Sequence, residues 1–231
     1  MKKEQILKIV SLILVIGLLI FLAIEVAPLF KNIATEQGRI EFKEEIENMG
    51  IKGIFIIIGL MIAQIFLVVL PGEPVEILAG MCYGPIGGLI IILIGSFVTT
   101  VLIFFLVRKF GRNFLYSFIS KEKIEKLEKS KLFSDHKKID IIFFILFFIP
   151  GTPKDLFVYI GGLLPVKPIR FLCIATFARI PSVISSTIAG SNIIDGNWMF
   201  IAFVYFISFA LSGIIIYLVN KKDKRIMEAV K

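Results

Sequence analysis

The 231-residue chain is 57% hydrophobic and 19% charged, with a mean hydropathy of +0.91, which excludes an ordinary soluble domain. Its formal net charge of +8 lies between the apolar runs and is not interleaved with aromatics, so no nucleic-acid partner is expected. Cys82 and Cys173 sit far apart in apolar sequence, and the only histidine, His136, lies in a charged loop. Neither a disulfide framework nor a metal-ligand spacing results, and no cofactor is expected.

The run Ile9 to Ile24, extended by Ile6, Leu7 and Val26 to Phe30, predicts an N-terminal transmembrane helix within residues 1–30. Lys2 and Lys3 precede it as in a signal peptide. The apolar part is long for that, and Pro28 directly follows the small residue Ala27, so a retained span is expected. Residues 31–50 are expected to form an extracytoplasmic amphipathic segment, where Arg39 to Asn48 mixes charge with Ile40, Phe42 and Ile46 and reads as a short surface helix or a solvated linker.

The apolar run from Ile51 to Leu70 ends in Pro71-Gly72-Glu73-Pro74-Val75-Glu76, and a second, Ile145 to Ile149, ends in Pro150-Gly151-Thr152-Pro153-Lys154-Asp155. Both motifs have proline at the first and fourth positions, glycine at the second and an acid at the sixth. Each leads into a glycine-bearing apolar segment. A repeated helix breaker inside hydrophobic sequence predicts broken helices of the transporter kind, arranged as repeats.

Charge sets the topology. Residues 1–8 hold three basic and one acidic side chain, residues 28–52 four and five, residues 108–138 ten and four, and residues 221–231 five and two. The N-terminus, the 108–138 loop and the C-terminus are therefore expected in the cytoplasm. An odd number of crossings must then separate residues 28–52 from the basic loop; the competing topology makes Ile51 to Leu70 a complete crossing and puts the 108–138 loop outside, against the charge rule. The predicted fold is all-α: four full transmembrane helices plus two oppositely oriented re-entrant helical hairpins in an inverted repeat. The core at 51–195 comprises a re-entrant hairpin at 51–85, a span at 86–107, the cytoplasmic loop 108–138, a second hairpin at 140–168 and a span at 171–194. A C-terminal span at 198–220 and a cytoplasmic tail at 221–231 complete the chain. Ser120 to Ser130 reads as a lysine–glutamate helix, either at the lipid surface or solvated. The two breaks are expected to face each other near the midplane, because irregular backbone at membrane depth needs protein or a wet cavity around it.

Charges inside the hydrocarbon region are costly and mark cavities or partners. Glu73, Glu76, Lys154, Asp155 and Arg179 are the candidates for substrate or ion binding. For the acids a local role competes. Pro74 and Pro153 suit the first position of a helix, Thr152 with Asp155 reads as a capping box, and Glu73 with Glu76 as its acidic equivalent. For Lys154 and Arg179 the alternative is an internal ion pair. The breaks themselves rest on Pro71, Gly72, Pro74, Pro150, Gly151 and Pro153. Gly80, Gly84, Gly161 and Gly162 are read as packing or hinge positions. Small residues at helical spacing, Gly84, Gly88, Ser96 and Thr100, then Ala178, Ser182, Ser186 and Gly190, predict close helix packing.

Pro71-Gly72-Glu73-Pro74 through Ala79-Gly80 and Tyr83-Gly84, Pro150 to Asp155 through Gly161-Gly162, and Ala178-Arg179-Ile180-Pro181-Ser182 with Ala189-Gly190 together resemble the DedA superfamily. Its shared region is the VTT, or SNARE-associated Golgi protein, domain, and the likeness covers roughly residues 50–195. The resemblance implies two facing re-entrant hairpins. It also implies movement of phospholipid or polyprenyl-phosphate headgroups across the cytoplasmic membrane, coupled to a proton or sodium gradient. Many members carry an arginine shortly before the second proline motif, where this chain has Phe147 and Phe148. That contact is then absent or is taken over by Lys154 or Arg179.

The leading expectation is a flippase or scramblase for anionic or phosphate-bearing lipids, and not an enzyme. The competing readings are an ion-coupled transporter of a small soluble solute, a lipid-phosphate enzyme and a non-transporting structural membrane protein.

Overall fold

The structure, a computed structural model, describes residues 35–67, 72–111 and 139–222, with residues 17, 33, 116, 122 and 125 besides. The N-terminal span apart from Gly17, Pro71, most of the 120–130 segment and the tail beyond residue 222 lie outside the described residues.

Among the described residues every element is helical. They are α1 (Glu36–Asn48), α2 (Ile51–Leu67), α3 (Glu73–Phe110), α4 (Ile139–Phe148), α5 (Lys154–Leu163), α6 (Pro168–Phe177), α7 (Ile180–Asn192) and α8 (Trp198–Lys222). By length and composition Glu73–Phe110, Pro168–Asn192 and Trp198–Leu218 can each cross a bilayer. Helices α1 and α2 meet at 115° and count as a fourth crossing only if the bent pair is one span. The chain divides into two compact units, residues 1–96 with 186–202 and residues 97–185 with 203–231.

In the first unit, α1 starts where Thr35 Oγ1 accepts a hydrogen bond from the Gly38 amide at 3.0 Å, satisfying one of the free donors of the first turn. Its polar face stays outside, while Phe42 and Ile46 are fully buried. The chain after α2 doubles back. A side chain on Gly53, in the first turn of α2, would strike the Ile46 carbonyl and lie 2.6 Å from the Tyr83 hydroxyl. At the other end of α2, Gln64 borders Gly72 and Glu76. The start of α2 thus lies beside residue 83 and its end beside residue 72, as in an antiparallel hairpin.

Gly84 ends that return. Its φ of 71° and ψ of 177° interrupt α3, and only glycine adopts this backbone region without strain. Pro85 then opens a second helical stretch, since proline suits a first turn. This stretch runs back past α2, so that Gly95 lies against Ile58 and Met61.

The second unit repeats the path. Helix α4 ends at the Pro150–Pro153 break, where Gly151 has a φ of 77°, and α5 returns. Asp140 at the start of α4 lies 3.7 Å from Arg170 near the start of α6. Further along the same two helices, Phe143 meets Phe171 edge-on, with centroids 4.9 Å apart. Helices α4 and α6 therefore run side by side in the same direction, with α5 the antiparallel return. Pro181 causes the break between α6 and α7. It has no N–H to offer the Phe177 carbonyl and its ring crowds that carbonyl, so residues 178 and 179 form a turn.

Hydroxyls on these apolar helices bond to their own backbone. Ser96 donates to the Ile92 carbonyl at 2.7 Å, Thr176 to Leu172 at 2.8 Å and Ser212 to Ser208 at 2.8 Å. Such bonds remove the cost of a bare hydroxyl in hydrocarbon.

Candidate functional site

The first break is built in a different register from the one its prolines imply. The Gly72 carbonyl accepts from the amides of Val75 and Glu76, both at 3.1 Å, so Gly72 is the N-cap, Glu73 the first helical residue and Pro74 the second. The acidic capping box of Glu73 with Glu76 does not form. Three residues beyond the actual cap stands Val75, and Glu76 is one place further on. Proline is still tolerated there, because its missing N–H falls among the unpaired donors of the first turn.

Glu73 is half-buried, Pro74 exposed and Glu76 only 3% exposed. Beside Glu76 stands Gln64 of α2, 2% exposed. A Cβ on Gly72 would lie 3.5 Å from Gln64 Oε1 and 3.7 Å from Glu76 Oε1, so the amide and the carboxylate flank one glycine. Gln64 was missed in the sequence reading. The signal was a lone amide in the otherwise apolar stretch from Ile54 to Leu70, which has the same desolvation cost as any polar group at membrane depth.

In the second break the capping box of Thr152 with Asp155 is also overturned. Pro153 is the N-cap of α5, with no side-chain cap bond, and Lys154 is the first helical residue. Proline is thus one place earlier than the expected first position. Thr152 Oγ1 faces backwards, donating to the carbonyls of Leu146 at 2.6 Å and Ile149 at 2.9 Å. It closes the end of α4, where carbonyls lack partners, and leaves the start of α5 uncapped.

That start carries Lys154, 6% exposed, followed by the half-buried Asp155. A helix N-terminus attracts anions and repels cations, so Asp155 suits its place and Lys154 does not. Among the described residues Arg179 is the largest fully buried side chain, 1% exposed. Its Nε donates to the Ala175 carbonyl at 2.6 Å, and its guanidinium lies over the Phe147 ring, 5.3 Å from the centroid. Arg179 therefore rests on the last turn of α4 while Lys154 opens α5, one cation on each side of the same break. Phe147, noted in the sequence for the arginine it lacks, is the surface on which Arg179 lies.

The glycines differ in what they meet. A Cβ on Gly80 would collide with the backbone of Thr187, and one on Gly190 with the backbone of Ile77, so the first part of α3 crosses α7 with the two main chains touching. Gly161 admits the Phe171 ring and Gly162 the Val107 side chain. Gly84 has open space around it and is required for its backbone angle alone.

Both breaks and the span carrying Arg179 fall inside residues 70–192, which match the model of the VTT domain. The chain belongs to the VTT-domain family. It is similar to the uncharacterized protein YqeD of Bacillus subtilis (strain 168), 26% identical over 180 residues that cover 77% of this chain and 81% of that protein. No solved structure matches. The DedA kinship read from the proline motifs therefore holds, and this VTT-domain chain is a multi-pass membrane protein. Its domain begins at the first proline break and ends with the last residue of α7.

Proposed function

We propose that this VTT-domain protein moves phosphate-bearing lipid headgroups across the cytoplasmic membrane as a flippase or scramblase. One observation carries the reading: Glu76, Lys154 and Arg179 are almost wholly buried at breaks in apolar helices of a membrane protein, where an ion is tolerated only for a partner or a task. Lys154 sits where its own helix repels it, and an incoming phosphate would relieve that repulsion. Arg179 offers the fork of donors that matches phosphate oxygens. Glu73, Glu76 and Asp155 would take up or release a proton, or hold sodium, as the headgroup passes, with Gln64 beside Glu76 as a neutral neighbour.

The topology that goes with this has four full spans and two re-entrant hairpins, the pairs α2 with the first part of α3 and α4 with α5, and both termini in the cytoplasm. The return of residue 83 to the level of residue 53, and the nearness of Arg170 to Asp140, support the hairpins.

The test is reconstitution of the full chain in liposomes with headgroup-labelled phosphatidylglycerol, phosphatidylethanolamine and a polyprenyl phosphate. Accelerated transbilayer movement of at least one is expected, and its loss in Arg179→Gln. Folded protein that accelerates none of them would refute the proposal.

A further inference from the structure

We propose a second site on this molecule: a pocket around Arg108, at the membrane boundary, that holds the phosphate of an anionic phospholipid. It lies at the opposite end of α5 from the Pro150–Pro153 break and needs only that the chain sits in a bilayer, not that it transports.

The boundary can be read from α3. Ile86, Ile90, Ile94, Phe97, Val98, Leu102 and Phe105 are exposed along it, at intervals that form one helix stripe. From Ile86 to Phe105 this stripe is about 30 Å long at 1.5 Å per residue, the thickness of the hydrocarbon core. Immediately beyond it come Arg108 and Lys109, both exposed. At the entrance to α6 the same change recurs, with Ile169 77% exposed between exposed Lys167 and Arg170.

At that level a cavity of about 370 Å³ opens between the end of α3 (Val107, Arg108, Gly111) and the end of α5 with its following turn (Gly162 to Pro165). Arg108 is the charged side chain in its wall. Its Nη1 donates to the Val166 carbonyl at 2.9 Å, and its guanidinium lies over the Phe104 ring, 5.4 Å from the centroid. Phe104 is itself stacked on Phe171 with centroids 5.0 Å apart. The arginine is thus held in place by one hydrogen bond and a buried aromatic column. A guanidinium has five N–H donors, so a phosphate can still be gripped by two of them. Because the side chain is already positioned, less ordering entropy is lost on binding.

The ligand chemistry follows from the surroundings. Arg108 lines the pocket, Lys109 and Lys167 are exposed next in the chain to Arg108 and to its bonded partner Val166, and Arg170 is balanced by Asp140 at 3.7 Å. The ends of α3 and α5 present carbonyls that disfavour an anion, so it is the full charge of the Arg108 guanidinium that makes a net negative headgroup favoured over a zwitterionic one. The other lining side chains, Val107 and Leu163 to Pro165, are apolar, and Phe105, in the turn of α3 that precedes Arg108, is exposed. Acyl chains would lie there, which a free phosphate lacks.

The experiment uses the full chain in phosphatidylcholine nanodiscs containing a minor fraction of photoactivatable phosphatidylglycerol, with the labelled peptides identified by mass. Labelling is expected at 107–111 and 162–165. Arg108→Gln should lower it about tenfold, with partial recovery in Arg108→Lys, which keeps the charge but not the fork. Leu164→Trp, which fills the cavity and leaves Arg108 in place, should lower it too, so the result does not depend on the folding of one variant. Glu76→Gln and Arg179→Gln should label as the parent does, which separates this site from the transport reading. Equal labelling by photoactivatable phosphatidylcholine, label spread along the exposed stripe, competition by millimolar inorganic phosphate, or an unchanged signal in Leu164→Trp would each overturn the proposal.

Discussion

Arg179 and Thr152 show how far a single residue's surroundings decide its role. Arg179 stands in mid-span in the sequence, and desolvation alone marks it as costly. In the fold it lies on Phe147 and bonds to the Ala175 carbonyl, an arrangement that a lysine cannot copy because it lacks the planar donor fork. Arg179→Lys is therefore expected to leave the thermal midpoint within a few degrees but to cut lipid movement by about tenfold or more. Equal fluxes in liposomes would argue that Arg179 only holds helices together. For Thr152 the expectation concerns stability. One hydroxyl proton is shared between the Leu146 and Ile149 carbonyls, and Thr152→Val should cost about 1–2 kcal/mol. Denaturant titration in detergent, compared with Asp155→Asn, would separate this end-of-helix role from the capping box read in the sequence, which would make both substitutions comparably damaging.

At the level of elements, the breaks were readable and their register was not. Two prolines and a glycine in each motif end a helix whatever surrounds them, because a missing N–H and a fixed φ are local facts. Which carbonyl then becomes the N-cap is not fixed by the prolines, and it lies one residue away from the expected position in both copies, earlier in the first and later in the second. Glycines carry a similar division. Gly84 is open to solvent or lipid on its Cβ side, so Gly84→Ala should cost about 1–3 kcal/mol from backbone strain alone. Gly80 has an ordinary helical backbone but touches Thr187, and Gly80→Val should separate α3 from α7 and cost more than Gly84→Ala does. Thermal unfolding of the two variants side by side checks the order, and the reverse order would mean that the Gly84 turn governs this region. Gln64 belongs here as well. Its sequence position marks it only as a polar group in an apolar run, and its place beside Glu76 exists because α2 and α3 close into a hairpin.

For the whole molecule, membrane embedding and helix content follow from composition, and the doubling back of residues 51–83 and 139–166 follows from the proline motifs together with the charge count. The proposed topology makes a direct prediction. With Cys82 and Cys173 replaced, single cysteines at Lys52 and Ile86 should be labelled from one aqueous face, and those at Lys109 and Lys167 from the other. Labelling of the Lys52 and Ile86 positions from opposite faces would turn the first hairpin into a full crossing and reverse the orientation of all that follows.

Sequence alone determined that this chain is helical, lies in a membrane, belongs to the VTT-domain family and interrupts its helices at two proline motifs. These properties depend on transfer free energy and on backbone chemistry, which act over a few residues or over the whole composition. Only the tertiary structure decided that Gln64 joins Glu76, that Arg179 rests on Phe147 and that Arg108 lines a pocket with Gly162. Such contacts join residues far apart in the chain, and they arise from how helices pack once hydrophobic pattern no longer distinguishes their faces.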